Sequence, residues 1–328
     1  MRIKKEVRKI VASVLAFLMV VSLIPVNSLM TKANAASKTT FEGGKTVEDG
    51  TWKGWTWNVF GSSTDVTKAF ATDTGNGGVT LEVTGDKGKI NGSASDQGLN
   101  TFLYELDKSY DFTITAQAKV DTLAANAQAA FGLTIRDNVG AHGNTAKLTA
   151  DKNNFAFVGG YGNQAASGHG NAGYKTTALA HTRLGESPEV GGTYDLAIQK
   201  VGDSVKLYFN GEVAAECSAD DLITDNAMYV GLFAARNAKV TFNNVKLAYT
   251  QDSSSVKVTT NVTAPKKTTY CAGNTYEDVD LTGFKATVSV DGKEREITAS
   301  DCVVDMSNDP FAEVTDAGKL NLLYLGQT

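Results

Sequence analysis

Glu105 and Asp107 are the nearest approach in this chain to an acid–nucleophile pair. Two carboxyl groups flanking a glycosidic bond are what sugar hydrolysis requires, and strand periodicity sets alternate residues on one face. A further carboxylate on that face would complete the pattern, but Ser109 and Tyr110 occupy the positions where it would stand. The pair therefore reads as two solvent-facing acids. A second set of residues has the chemistry of acidic-sugar recognition. Arg136 offers a fixed charge to a carboxylate, Tyr161 and Tyr174 offer stacking faces, and His169 offers a hydrogen-bonding group. Three of these lie in Gly159–Tyr174, a stretch with six glycines that reads as a loop at the rim of a ligand site. They stand in no string that would assign proton transfer, so the reading is binding.

Other chemistry is not signalled. Gly-x-Ser-x-Gly, His-Glu-x-x-His and phosphate-loop patterns are missing, and His142, His169 and His181 fall in loop-like sequence at no metal-ligand spacing. Asp305-x-Ser307-x-Asp309 opens like a calcium loop, with Asp316 at the twelfth position, but Pro310 stands where such a loop needs glycine. No cofactor is assigned, and a structural calcium has no assigned ligands. Trp52, Trp55 and Trp57 suit a sugar platform by chemistry, but the face shared by Trp55 and Trp57 reads as sandwich core.

The elements that must position these residues are strands. Phe112, Ile114, Ala116, Ala118 and Val120 alternate with Thr113, Thr115, Gln117 and Lys119, the period of a half-buried antiparallel strand with its polar face in solvent. Tyr194 to Glu216 reads as two hairpins turning at Gly202-Asp203 and Asn210-Gly211, types II′ and I′ by their residues. Lys239 to Tyr249 changes phase at Asn243-Asn244, where a β-bulge is expected. Helical periodicity is almost missing. The fold class is all-β: a two-sheet jelly-roll sandwich over 36–250, a polar linker over 251–256, and a smaller β-sandwich over 257–328 in which Lys285 to Val290 leads into an Asp291-Gly292 turn.

Composition bounds the partners. A basic head, an apolar stretch from Ile10 to Val26 and Ala33-Asn34-Ala35 form a secretory signal over 1–35, with cleavage expected before Ala36. Residues 1–35 carry six Lys/Arg against Glu6 alone, a net of +5, so the remainder carries −10 against −5 for the whole chain. An acidic surface argues against nucleic acid and against an anionic membrane. After cleavage the protein is expected to be extracellular, secreted or at the cell surface, with no membrane association. The three cysteines, Cys217, Cys271 and Cys302, cannot form a complete disulfide framework, and whether Cys271 and Cys302 pair stays open.

Two resemblances add to this. Trp55-Thr56-Trp57-Asn58-Val59-Phe60-Gly61, Gly98 to Tyr104, Phe131 to Asp137 and Tyr229 to Asn237 resemble concanavalin-like, laminin-G-like jelly rolls. Pro265, Thr268-Thr269-Tyr270, Gly273, Leu281-Thr282-Gly283-Phe284, Val288 and Cys302-Val303-Val304-Asp305 resemble a bacterial Ig-like module. Such a module usually ends in a strand after a turn like Gly326-Gln327, so 257–328 is expected to be truncated. The resemblances imply a multimodular carbohydrate-active or surface protein of Gram-positive bacteria. A polysaccharide or cell-surface glycan is the expected partner. The expected role is non-catalytic, binding glycan or positioning a larger enzyme. The alternatives are the front part of a pectate-lyase-like enzyme whose catalytic domain lies beyond Thr328, and an adhesin with Ig-like repeats.

Overall fold

The structure, a computed structural model, describes residues 38–328 except 62–63, 91–96, 127, 147–153, 163, 171–179, 186, 309 and 313–318. The expected leader over 1–35 lies outside the described residues. Two antiparallel sheets face each other. The first has eight strands, in spatial order β1 (Thr39–Thr40), β3 (Ala69–Asp73), β4 (Val79–Val83), β15 (Ala238–Thr250), β6 (Asp111–Leu123), β11 (Thr193–Val201), β12 (Ser204–Phe209) and β13 (Glu212–Ser218). The second has seven: β10 (Ala180–Arg183), β9 (Gln164–Gly170), β8 (Phe155–Tyr161), β7 (Ala130–Arg136), β14 (Ala227–Ala235), β5 (Gly98–Asp107) and β2 (Trp55–Gly61). The expected jelly-roll sandwich is the fold.

Alternation builds the core between the sheets. Phe112, Ile114, Ala116, Ala118 and Val120 of β6 face Leu133 and Ile135 of β7 and Val230 and Leu232 of β14 in one buried cluster. Trp55 and Trp57 belong to that cluster, as their strand parity predicts, and Trp52, from the turn before β2, joins them. Trp55 stacks on Phe102 at 5.3 Å, and Trp57 donates Nε1–H to Asn100 Oδ1 at 2.7 Å. Burying each such ring contributes roughly 1.5–3 kcal/mol, so these side chains hold the sandwich together and are not available to stack on sugar.

The turns follow their residues. Gly202 has φ +56 in the β11–β12 hairpin, while Asn210 and Gly211 both have positive φ between β12 and β13, as II′ and I′ turns require. The β15 ladder to β6 slips between Asn243 and Lys246, with Asn244 at φ +51, which is the expected bulge. A second slip lies at Lys239/Val240.

The polar face of β6 reaches solvent only at its far end, where Lys119 is exposed and Gln117 half-buried. Thr113 and Thr115 are 2% and 8% exposed because the C-terminal residues cover them. Thr115 Oγ1 donates to Ser300 O at 2.6 Å, and Leu325 N–H donates to Thr113 Oγ1 at 3.2 Å. The covering segment carries a three-stranded sheet, β16 (Lys257–Thr263), β17 (Lys285–Val290) and β18 (Lys293–Thr298), and the pair β19 (Val303–Asp305) and β20 (Asn321–Leu323). Val303 packs on Ala197 and Tyr208 of the eight-stranded sheet, and Ala248 of β15 joins a cluster with Val256, Val288 and Leu325. Residues 253–255, expected as linker, form a short 3-10 turn capped by Asp252. Their local hydrogen bonds and the burial of Ser253 override polar composition. All three cysteines are free thiols. Burial pushes those of Cys217 and Cys302 up to about 12, aided by neighbouring acids.

Candidate functional site

The outer face of the seven-stranded sheet is set by strand parity. Across it run Phe60, Leu99, Phe233, Phe155 and Phe157, which form a second buried cluster with Ile90, against which Val139 packs. Arg136 sits inside this layer rather than above it. It is 0% exposed, its Nη2 donates to Gln97 Oε1 at 2.5 Å and its Nε to Asn138 O at 3.1 Å. The rings of Phe60 and Phe155 lie 5.6 and 5.1 Å from its guanidinium carbon. Burial pulls its pKa down to about 10, against the field of Asp137, which leaves it charged at neutral pH. The expected ligand-facing cation is thus a structural one, because Arg136 follows an alternation that points it into a layer the loops cover. Asp137, one residue on, accepts from Asn154 N, Asn154 Nδ2 and Thr224 Oγ1. Burial raises its pKa, and those hydrogen bonds oppose the shift.

The glycine-rich stretch is not a loop over its described length. Residues up to Tyr161 belong to β8, and Gln164–Gly170 form β9, paired from Phe155↔Gly170 to Tyr161↔Gln164. Small residues hide the period here because neighbouring groups fill the space side chains would take. His169 lies in β9 opposite Ala156 and Ala180, and His181 lies in β10, so neither is in a loop. His142 alone keeps a loop position. Its ring lies 4.9 Å from Trp57, its Nδ1 accepts from Val59 N at 3.3 Å, and burial lowers its pKa. Tyr174 lies outside the described residues.

What the hairpin brings to the surface is a different group. Tyr161 is half-buried against Phe157, with ring centroids 6.3 Å apart. Gln164 is its register partner on β9, and Arg183 of β10, exposed, donates Nη1–H to Gln164 Oε1. Burial raises the phenol of Tyr161 and the charge of Arg183 opposes the rise, which places the guanidinium within electrostatic reach of the ring. Aromatic edge, amide and exposed guanidinium thus stand on three adjacent strands. Sequence reasoning missed Gln164 and Arg183 because 164–183 has no apolar alternation to reveal the edge strand β10 and its neighbour β9.

The acidic pair is committed elsewhere. Glu105 is exposed opposite Tyr229, while Asp107 Oδ1 accepts from Ser109 N and Oγ, a turn that holds its carboxyl below the usual range. Asp305 closes the same kind of turn on Ser307, and Asp309 and Asp316 lie outside the described residues. Among the described residues, no helix is long and apolar enough to cross a membrane.

No protein-family model matches the chain. Among curated proteins it is similar to pectate lyase L of Thermoclostridium stercorarium, 30% identical over 253 residues, which cover 76% of this chain and 19% of that protein. The chain therefore spans about a fifth of the length of that relative. Solved structures with some likeness include a carbohydrate-binding module from Bacillus subtilis (17% identity, 65% of this chain and 96% of that one, TM-score 0.35). Lectin II from Ulex europaeus overlaps at 8% identity, 64% and 98% coverage and TM-score 0.38. An alginate lyase of polysaccharide lyase family 7 overlaps at 10% identity, 60% and 94% coverage and TM-score 0.39.

Proposed function

We propose that residues 36–250 form a non-catalytic, secreted carbohydrate-binding module that takes an acidic polysaccharide across β8, β9 and β10. The observation that carries this reading is the Tyr161–Gln164–Arg183 group, a ring, an amide and an exposed cation on a chain that is otherwise acidic. A uronate offers the matching surface: an apolar ring face, vicinal hydroxyls and a carboxylate that a guanidinium binds in a forked geometry. Tyr174, in the segment after β9, is proposed as the flank of this group, whereas His169 pairs with Ala156 at a register position on the face between the sheets and is not part of it. Polygalacturonate binding is expected to weaken about tenfold or more in Arg183→Ala and in Tyr161→Ala, the loss of one charge-assisted or stacking contact. Titration calorimetry checks this, and undiminished affinity in both variants would overturn the proposed face.

The relative that matches over a fifth of its length is named a pectate lyase, which supports a second reading. In it the module positions a polysaccharide lyase whose catalytic residues lie in another part of the protein. The adhesin alternative has no observation of its own.

The division into a jelly roll and an Ig-like module over 257–328 is likewise proposed. A 38–250 fragment is expected to unfold in one cooperative transition, about 5–10 °C below the 38–328 chain, since it uncovers Ala197, Tyr208 and the Thr113–Thr115 face. Scanning calorimetry reads the shift. A fragment that stays aggregated while 38–328 is soluble would show that the sandwich does not fold alone.

A further inference from the structure

We infer that the cleft between the eight-stranded sheet and the C-terminal segment is a second ligand site, one that takes a small neutral saccharide. It encloses about 400 Å³, inside the range of about 300–1,000 Å³ usual for small-molecule pockets. This site lies on the sheet opposite to the Tyr161–Arg183 face and does not rest on the uronate reading.

Its centre is Asp195 of β11. The Asp195 carboxylate accepts from Gln117 Nε2 at 3.2 Å and from Tyr276 OH at 3.1 Å, while its backbone N–H donates to Asn210 Oδ1 at 2.9 Å. Burial and Asp195 together push the Tyr276 phenol well up, so that it stays a proton donor. These bonds fix Gln117 and Asn210 in place and leave capacity unused: Gln117 keeps Oε1 and one Nε2 hydrogen, and Asn210 keeps Nδ2, without a partner among the described residues. Amide donors and acceptors anchored to one carboxylate suit neighbouring hydroxyls, each of which both gives and takes a hydrogen bond. The walls add the rings of Tyr208 and Tyr276. Gly211 makes room for the second, since a Cβ there would lie 2.6 Å from the Tyr276 ring.

Charge decides the class. Asp195 and Glu277 line the cleft, and among the described residues its lining holds no lysine or arginine. A carboxylate ligand would be repelled, whereas an uncharged polyol meets no such penalty. The two faces of the sandwich would then select different sugars of one material, acidic residues on one side and neutral ones on the other.

The test uses saturation-transfer NMR on the 38–328 chain with D-galactose, L-arabinose, D-xylose and D-glucose, and with galacturonic acid as the charged control. Transfer is expected to at least one neutral sugar, weakened about fivefold or more in Gln117→Ala and in Thr193→Trp, which fills the mouth without removing a hydrogen bond. Polygalacturonate affinity should be unchanged in both, which also shows that each variant is folded. Should both lose their fold, the aromatic proton resonances of Tyr276 in the unaltered chain are the deciding measurement, and resonances that do not shift with any of the four neutral sugars overturn the inference. No transfer to any of the four sugars, transfer equal in all three proteins, or a preference for galacturonic acid would also overturn it. Loss of polygalacturonate binding in Arg183→Ala alone leaves this outcome untouched, so the two sites fail or stand separately.

Discussion

Gly132→Ala should unfold the sandwich or cost it more than about 3 kcal/mol, as should Gly159→Ala. The two glycines face each other on β7 and β8 with φ of +153° and +151°. A Cβ at Gly132 would lie 2.0 Å from Val158 O, and one at Gly159 would lie 2.1 Å from Phe131 O. Both obstacles are backbone carbonyls, which cannot swing aside like a side chain, so the strands would have to part. That would open the ladder beneath Tyr161 and Gln164 and pull the proposed sugar face apart with it. Urea denaturation reads the effect. An unfolding free energy within about 0.5 kcal/mol of the parent would show that β7 and β8 can separate at little cost.

Arg136→Ala is expected to lose about 3–5 kcal/mol, the range found when one partner of a buried charged network is removed. The change leaves Gln97 Oε1 and Asn138 O without this donor and opens a void between Phe60 and Phe155. Arg136→Met keeps most of the volume and should lose less than alanine does. At temperatures where either variant is folded, polygalacturonate affinity should match the parent. If affinity falls in folded Arg136→Met while Arg183→Ala binds normally, the cation that meets the ligand is Arg136 after all.

The fold was legible where side chains announce their face. The Phe112–Val120 alternation, the Gly202-Asp203 and Asn210-Gly211 turns and the Asn243-Asn244 slip each correspond to an observed element, because period and positive φ are local properties. The site was less legible. Sequence assigns Arg136 chemistry but not depth, and depth depends on which loops close over the outer face. Gly159–Gly170 reads as a loop because strands built from Gly, Ala and Ser carry no apolar pattern; their partners, Phe131 among them, supply the bulk instead. The first half of the polar face of β6 was misplaced for a related reason. Thr113 and Thr115 look solvated until residues 212 and 185 positions later come to lie on them.

The order of strands has a kinetic consequence. β14 lies between β5 and β7, and β15 between β4 and β6, so the last two strands of the sandwich occupy the middle of both sheets. Neither sheet can be continuous until about residue 250 has been synthesised. Until then β4, β5, β6 and β7 present unpaired edges in four half-sheets that have no native contact along those lines. Such long-range closure makes folding slow and keeps the nascent chain open while it is made. Under the proposed secretion that delay would have a use, since translocation requires an unfolded polypeptide. The same delay means that a ribosome stalled before β14 releases an aggregation-prone product, not a smaller domain.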